Sequence, residues 1–358
     1  MKQQRAAEEP HRPAPLRNEG LDDDDDDAAR TQPLWRRFVS SAVKVALGGL
    51  AVYACVRLVR SMQPASSSDT QNAPFDVASK PAAAAAKAPL RTLLLESAAR
   101  CVDKKNLRWG EWKTKVASES ILCGEDSFFV SATAFGVADG VGGWAKHGVT
   151  SKHFSQGLVT AAMDVAREAQ VAGKTPEPFN MLAQAHIATQ KTVEAGSTTA
   201  CFGAIRNDGL LRVGNVGDSG VCVVRGGKIV FQAEETNHGF NYPKQLGSFP
   251  SGGKSDNAAD AWLGAFQLQA EDVVVAATDG VFDNIRPSDI ADVAYHTVGE
   301  GRQKNKQPDV DMAATDIVHK ACTAATSSGS WGSGPSGVGG KPDDVTVVVL
   351  RVVHIGTT

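Results

Sequence analysis

Two short apolar runs, "AFGVA" ending at Ala138 and "VVVAAT" ending at Thr278, each stop at an Asp-Gly pair. Runs without polar alternation fit strands buried on both faces, and a carboxylate at the end of such a strand is held rigidly at the rim of a core. The chain has three Asp-Gly pairs, Asp139-Gly140, Asp208-Gly209 and Asp279-Gly280. Asp208-Gly209 lies in "IRNDGLLRV", where a polar lead-in between two apolar runs reads as a plain hairpin turn. The other two pairs follow apolar strands directly and are candidate metal ligands.

Two more acidic sites share this pattern. Asp343 and Asp344 open the apolar run in "KPDDVTVVVL", and Glu125 and Asp126 precede the aromatic run in "CGEDSFFV". Hard divalent cations prefer carboxylate, carbonyl and water oxygens, and a two-metal site draws several carboxylates from separate strands. Strand-end acids spread along the domain supply that set.

Between these acids, the pattern "SKHFSQGLVTAAMDVAREAQ" puts Phe154, Leu158, Ala161, Ala162 and Val165 on one helical stripe, and "FNMLAQAHIATQKTV" gives a second helix. "STTACFGAI" and "LLRVGNVGDSGVCVVRGGKIVFQA" read as a meander of strands. Helical segments near 287–298 and 311–325 precede a last strand, "DVTVVVLRVV". Many strands with segregated helices predict an α+β fold, a β-sandwich of two mainly antiparallel sheets flanked by helices.

Upstream of residue 91 the composition changes. Residues 1–34 are polar and hold the acidic block Asp22 to Asp27, a like-charge run of the solvated, disordered kind. Residues 35–61 contain the apolar stretch 39–59, broken by Lys44 and Arg57, which is a candidate transmembrane anchor. The absence of acids from Ala28 to Ser68, with Arg30, Arg36, Arg37, Lys44, Arg57 and Arg60 present, equally suits a mitochondrial targeting segment. Residues 62–90, rich in Ala, Pro and Ser, read as a linker, and 91–358 as the catalytic domain. A net charge of -3 and pI near 6.3 offer no basic stripe for nucleic acid. The six scattered cysteines, without a Cys-x-x-Cys pair, read as buried thiols in a reducing compartment.

The ordered series "GEDSFF", "VADGVGGW", "GSTTACF", "VGNVGDSG", "ATDGVFDN", "KPDDVTVVV" resembles the motifs of the metal-dependent protein phosphatases of the 2C type, over roughly residues 97–354. It is most similar to the short-chain branch that includes mitochondrial members. The resemblance implies a metal cleft at one end of the sandwich, with Asp139 bridging two Mn2+ or Mg2+ ions and Gly140 lending its carbonyl. It further implies that Asp279 and Asp344 complete the second metal, that Glu125 and Asp126 hold metal-bound waters, and that Asp218 serves a weaker third ion. Asp139, Asp279 and Asp344 would be the catalytic set. A water acidified between the ions would attack phosphorus in line, releasing phosphate from phosphoserine or phosphothreonine in a phosphoprotein substrate. Asp283 and Asn284 would shape the metal loop.

Two departures stand out. Where many members carry His after the first Asp-Gly, this chain has Val141, and the usual phosphate-gripping Arg is replaced by Ile121. Lys113 or Lys115 could substitute for that arginine. Trp144, His147 and His153 read as packing or surface residues, and the stretch Thr236 to Pro243 could border the substrate cleft. A monomer is expected. The alternatives are a pseudophosphatase that binds phosphoproteins on the same fold and a two-metal hydrolase of small phosphoesters; the retained Asp139, Asp279 and Asp344 favour protein phosphatase catalysis.

Overall fold

The computed structural model describes residues 91–109, 115–116, 120–250, 252–299, 307–327 and 339–357. The segments expected at 1–34, 35–61 and 62–90, including the apolar stretch 39–59, lie outside the described residues. Among the described residues no helix is long and apolar enough to cross a membrane.

The strands are β1 (Arg91–Val102), β2 (Lys115–Val116), β3 (Ser120–Cys123), β4 (Asp126–Val130), β5 (Ala134–Ala138), β6 (Gly196–Thr198), β7 (Ala200–Ile205), β8 (Leu210–Val216), β9 (Gly220–Arg225), β10 (Lys228–Gln232), β11 (Asn237–Gly239), β12 (Tyr242–Pro243), β13 (Leu246–Ser248), β14 (Trp262–Gln267), β15 (Val273–Ala277) and β16 (Val345–Thr357). Two six-stranded sheets form, in the orders β10-β9-β15-β16-β1-β2 and β14-β8-β7-β5-β4-β3, and their pairings are antiparallel. The helices are α1 (Lys152–Val171), α2 (Pro178–Gln190), α3 (Asp279–Phe282), α4 (Pro287–Thr297) and α5 (Val310–Ala325). The α+β sandwich read from the sequence is the fold observed.

Burial explains why the strands lack alternation. Phe128, Phe135 and Val137 of one sheet meet Val221, Val223, Val274 and Val348 of the other in the sandwich interior. The outer face of the first sheet carries Cys222, Val275 and Val347, packed under Ile290, Ala294, Ile317 and Ala321 of α4 and α5. The outer face of the second carries Phe129, Phe202 and Val216 under Phe154, Leu158, Met181 and Leu182 of α1 and α2. Phe128 and Phe129, adjacent in β4, point to opposite faces and both are fully buried, because each face has its own cover.

The stripe of α1 differs slightly from the expected one. Phe154, Ser155, Leu158, Val159, Ala162 and Ala166 are buried, whereas Ala161 and Val165 are only partly covered. Ser155 turns inward because its hydroxyl donates to the Glu125 carbonyl at 2.6 Å, which rotates the buried face toward it. Asp208 behaves as the plain turn expected: its carboxylate accepts from Leu210 N at 3.2 Å and pairs with Arg206.

The reading of all six cysteines as thiols is corrected. Cys101, near the end of β1, and Cys123, at the end of β3, form a disulfide with their Cα atoms 6.2 Å apart. The two strands belong to opposite sheets, so the pairing arises from the closing of the sandwich and not from a short motif. Cys201, Cys222 and Cys322 are buried free thiols, and Cys55 lies outside the described residues.

Candidate metal centre

Antiparallel register gathers the acids. Ser127 pairs with Ala138, so Asp126 at the start of β4 and Asp139 just past β5 emerge at the same end of one sheet. Ala277 pairs with both Val347 and Gly220, so Asp279 past β15, Asp343 and Asp344 before β16 and Asp218 before β9 emerge together from the other. Thr278 joins the two groups, donating from its hydroxyl to the buried Asp126 carboxylate at 2.9 Å. Asp139 is fixed through its carbonyl, which accepts from Thr199 N at 2.9 Å and from the Thr198 hydroxyl at 2.7 Å.

Glycine is required where the backbone closes over the site. A Cβ on Gly140 would lie 2.7 Å from the Glu125 carbonyl oxygen and 3.0 Å from Ser151 Cβ. Gly124, at φ +68°, would place a Cβ inside the Asp344 carboxylate.

The neighbouring aspartates at 343 and 344 have different surroundings. Asp344 is 1% exposed, and its two oxygens accept the backbone N–H groups of Lys104 and Glu125, each at 2.7 Å. It thereby clamps the turn after β1 and the loop before β4 onto the start of β16. Asp343, with its side chain 23% exposed, faces the cluster instead: its oxygens lie 3.6 Å from Lys104 Nζ and 3.8 Å from Lys341 Nζ.

The electrostatics are those of crowded carboxylates. Burial and then repulsion from Asp279 raise the Asp139 carboxyl well above its ordinary range, and burial with Asp344 does the same for Asp126. Burial and Asp279 push Asp218 up to about 7 and raise Asp343, and burial pushes Asp344 up to about 6. Among the described residues, the buried oxygens Oδ1 of Asp126, Asp218 and Asp279 have no hydrogen-bond partner. Two lysines answer this charge. Lys341 Nζ bonds Asp279 and lies 2.6 Å from Asp283 Oδ2, and Lys104 Nζ lies 2.9 Å from Glu125 Oε2. Burial opposes both ammonium groups, but the carboxylates around them outweigh it and hold both charged.

This donor set fits divalent cations. Unpartnered carboxylate oxygens, mutually raised aspartates and an ammonium wedged between Asp279 and Asp283 all mark a place where positive charge is stabilising. In the arrangement described, no three His, Cys, Asp or Glu side chains among the described residues already converge as a ready-made ligand set. Asn284 supports the loop as expected, its amide donating to the carbonyls of Gly280 and Lys341, both at 2.9 Å. Asp283 instead pairs with Lys341. Trp144, read as a packing residue, packs on Phe249 with ring centres 5.2 Å apart and donates from Nε1 to the Ser197 hydroxyl at 2.6 Å. His147 and His153 are exposed, and Tyr242 in the loop expected to border the cleft is 58% exposed.

The family profile of stage II sporulation protein E (SpoIIE) matches residues 131–353. A Drosophila mojavensis protein, "Protein phosphatase PTC7 homolog fig", is 36% identical over 243 residues, covering 64% of this chain and 78% of that protein. The chain belongs to the PP2C-type protein phosphatases. It is therefore a protein serine/threonine phosphatase. The Saccharomyces cerevisiae "Protein phosphatase 2C homolog 7, mitochondrial" is 36% identical over 278 residues, covering 70% of this chain and 79% of the yeast protein. Among solved structures, that of the photosystem II phosphatase PBCP aligns with a TM-score of 0.57 and 27% identity, over 72% of this chain and 99% of the other.

Sequence reasoning missed Lys104, Lys341 and Thr278. Of the three, Lys341 left a faint signal, a lysine two residues before the acidic doublet.

Proposed function

We propose that this PP2C-type phosphatase hydrolyses phosphoserine and phosphothreonine in proteins at the acidic cluster, with Asp139, Asp279 and Asp343 as the carboxylates open to the ions. The observation that carries this reading is the gathering of strand-end aspartates at one rim, where buried oxygens of Asp126, Asp218 and Asp279 lack partners among the described residues. Asp344 keeps the place that the sequence assigned to it in the site, but its hydrogen bonds favour a clamping role, with Asp343 presenting the open carboxylate. Gly140 would add its carbonyl, Glu125 and Asp126 would hold water around the ions, and Asp218 would face a third, weaker position. Bound there, the ions supply Lewis acidity toward water and neutralise charge on the phosphoryl oxygens. The chain's own residues gather the carboxylates at one rim and keep the loop after Asp139 close-packed through Gly140. Val141 offers no proton at the leaving oxygen, so water or another group of the site would supply it.

The mitochondrion is the proposed location, supported by the name of the yeast relative and by the basic, acid-free stretch before residue 68. A membrane anchor at 39–59, a phosphoprotein partner and a monomeric state complete the proposal.

The test is phosphate release from a phosphothreonine peptide by the full chain, first with EDTA and then with Mn2+ or Mg2+ restored. Metal-dependent release that is lost in Asp139→Ala is expected. No release with either metal from a folded sample would overturn catalysis in favour of a phosphoprotein-binding role.

A further inference from the structure

Where the resemblance implies a phosphate-gripping arginine this chain has Ile121, whose side chain offers no donor to a phosphate. Lys113 and the side chain of Lys115 lie outside what the structure describes. Lys104 does not. It begins the 3-10 turn Lys104–Trp109 that follows β1, and its own backbone N–H is bound to Asp344 Oδ1 at 2.7 Å, which fixes its Cα beside the cluster. Its amine lies 2.9 Å from Glu125 Oε2, 3.6 Å from Asp343 and 3.8 Å from Asp344.

Lys104 and Lys341 differ in access. The Lys341 side chain is 18% exposed and sunk between Asp279 and Asp283, whereas that of Lys104 is 36% exposed. The loop after Asp139 accounts for the opening. A Cβ on Gly142 would lie 3.3 Å from Glu125 Oε2 and 3.9 Å from Lys104 Nζ, so a larger side chain there would cover the amine. An ammonium carries three donors, and the Glu125 bond at 2.9 Å uses one.

We propose that Lys104 binds the phosphoryl oxygens of the substrate at the rim of the metal centre, and that Gly142 keeps its amine open to them. The proposal rests on the phosphatase reading of this site and assigns the grip that Ile121 cannot provide. Charge and reach suit a dianionic phosphate: a point charge with rotatable donors binds phosphate without the fork geometry of arginine. Glu125 holds the amine in place between turnovers, positioning it for the incoming anion.

The experiment uses the full chain loaded with Mn2+, with calorimetric titration of inorganic phosphate and steady-state kinetics on a phosphothreonine peptide. Lys104→Met is expected to weaken phosphate binding at least tenfold and to raise KM by a similar factor, with a smaller change in kcat. Lys104→Arg should stay within threefold of the parent in both, and Mn2+ affinity should not fall in either variant. Gly142→Val, which covers the amine without removing it, should reproduce the loss and serves if Lys104→Met does not fold. Phosphate binding within twofold of the parent in both Lys104→Met and Gly142→Val would overturn the proposal. So would a loss matched by an equal loss of Mn2+ affinity, because that marks an ion pair that merely holds the carboxylates. If the parent binds phosphate but hydrolyses no peptide, the catalytic reading fails while the phosphate titration still decides the role of Lys104.

Discussion

Replacing Asp343 and Asp344 by Asn, one at a time, separates the clamp from the open carboxylate. Asp344 is 1% exposed and each oxygen accepts one backbone N–H at 2.7 Å. An amide keeps one acceptor and turns an NH2 group against the other backbone donor, so one charge-assisted bond is lost and one buried N–H is orphaned. Such a loss costs about 2–3 kcal/mol. Burial pushes the Asp344 carboxyl up to about 6, so removing its charge at neutral pH returns part of that, leaving about 2 kcal/mol net. For a domain of this size the metal-free unfolding midpoint should drop by roughly 4–8 °C. Asp343→Asn removes a charge that faces Asp279 and, among the described residues, orphans no backbone donor from another segment. Its metal-free midpoint should hold or rise, while its Mn2+ affinity falls. Thermal unfolding by circular dichroism in EDTA, with Mn2+ calorimetry on the same samples, measures both quantities. If Asp344→Asn kept its metal-free midpoint and lost Mn2+ affinity, the clamp argument would be refuted and Asp344 would be the ion's ligand.

Other consequences follow from the same geometry. Asp139→Ala should reduce phosphatase turnover to near background in a peptide assay, whereas Asp208→Ala, at an ordinary surface turn, should leave turnover within about twofold. Raised carboxyls mean that the folded, metal-free protein keeps protons that the unfolded chain has lost. Stability in EDTA should therefore fall as pH rises from about 4 through about 7, the Asp218 window, and Mn2+ affinity should climb over the same range; unfolding midpoints and titrations at stepped pH check both signs. The Cys101–Cys123 bond closes a loop with a sequence separation of 22, so reduction should cost about 3 kcal/mol in the chain-entropy account, read as a lower unfolding midpoint with a phosphine reductant. An unchanged midpoint would mean that the pair does not constrain the unfolded chain.

The residues that were legible and those that were not divide along a physical line. Strand-end acids can be read because burial on both faces leaves an unmistakable apolar run, and antiparallel register then brings alternate strand ends to one rim; Asp126, Asp139 and Asp279 follow from that, whereas Asp218 comes only from the motif resemblance. Local turns are equally legible, as at Asp208, since their hydrogen bonds lie within a few residues. The doublet at 343–344 is not resolvable in the same way. Consecutive residues of an extended chain point to opposite sides, so one of the two must face the ions and the other the protein, and nothing in "KPDDVT" says which. The choice is made by backbone N–H groups at 104 and 125, more than two hundred residues away in sequence. Lys104 and the Cys101–Cys123 bond escape for the same reason, because each acts between segments that only the closed sandwich brings together. All three lie on one structural path: the disulfide joins the ends of β1 and β3, the segments just beyond those ends carry Lys104 and Glu125, and Asp344 binds both. Positioning at this corner of the centre is therefore a tertiary property, and it is there that substitutions remote from the motifs should alter phosphate binding and stability.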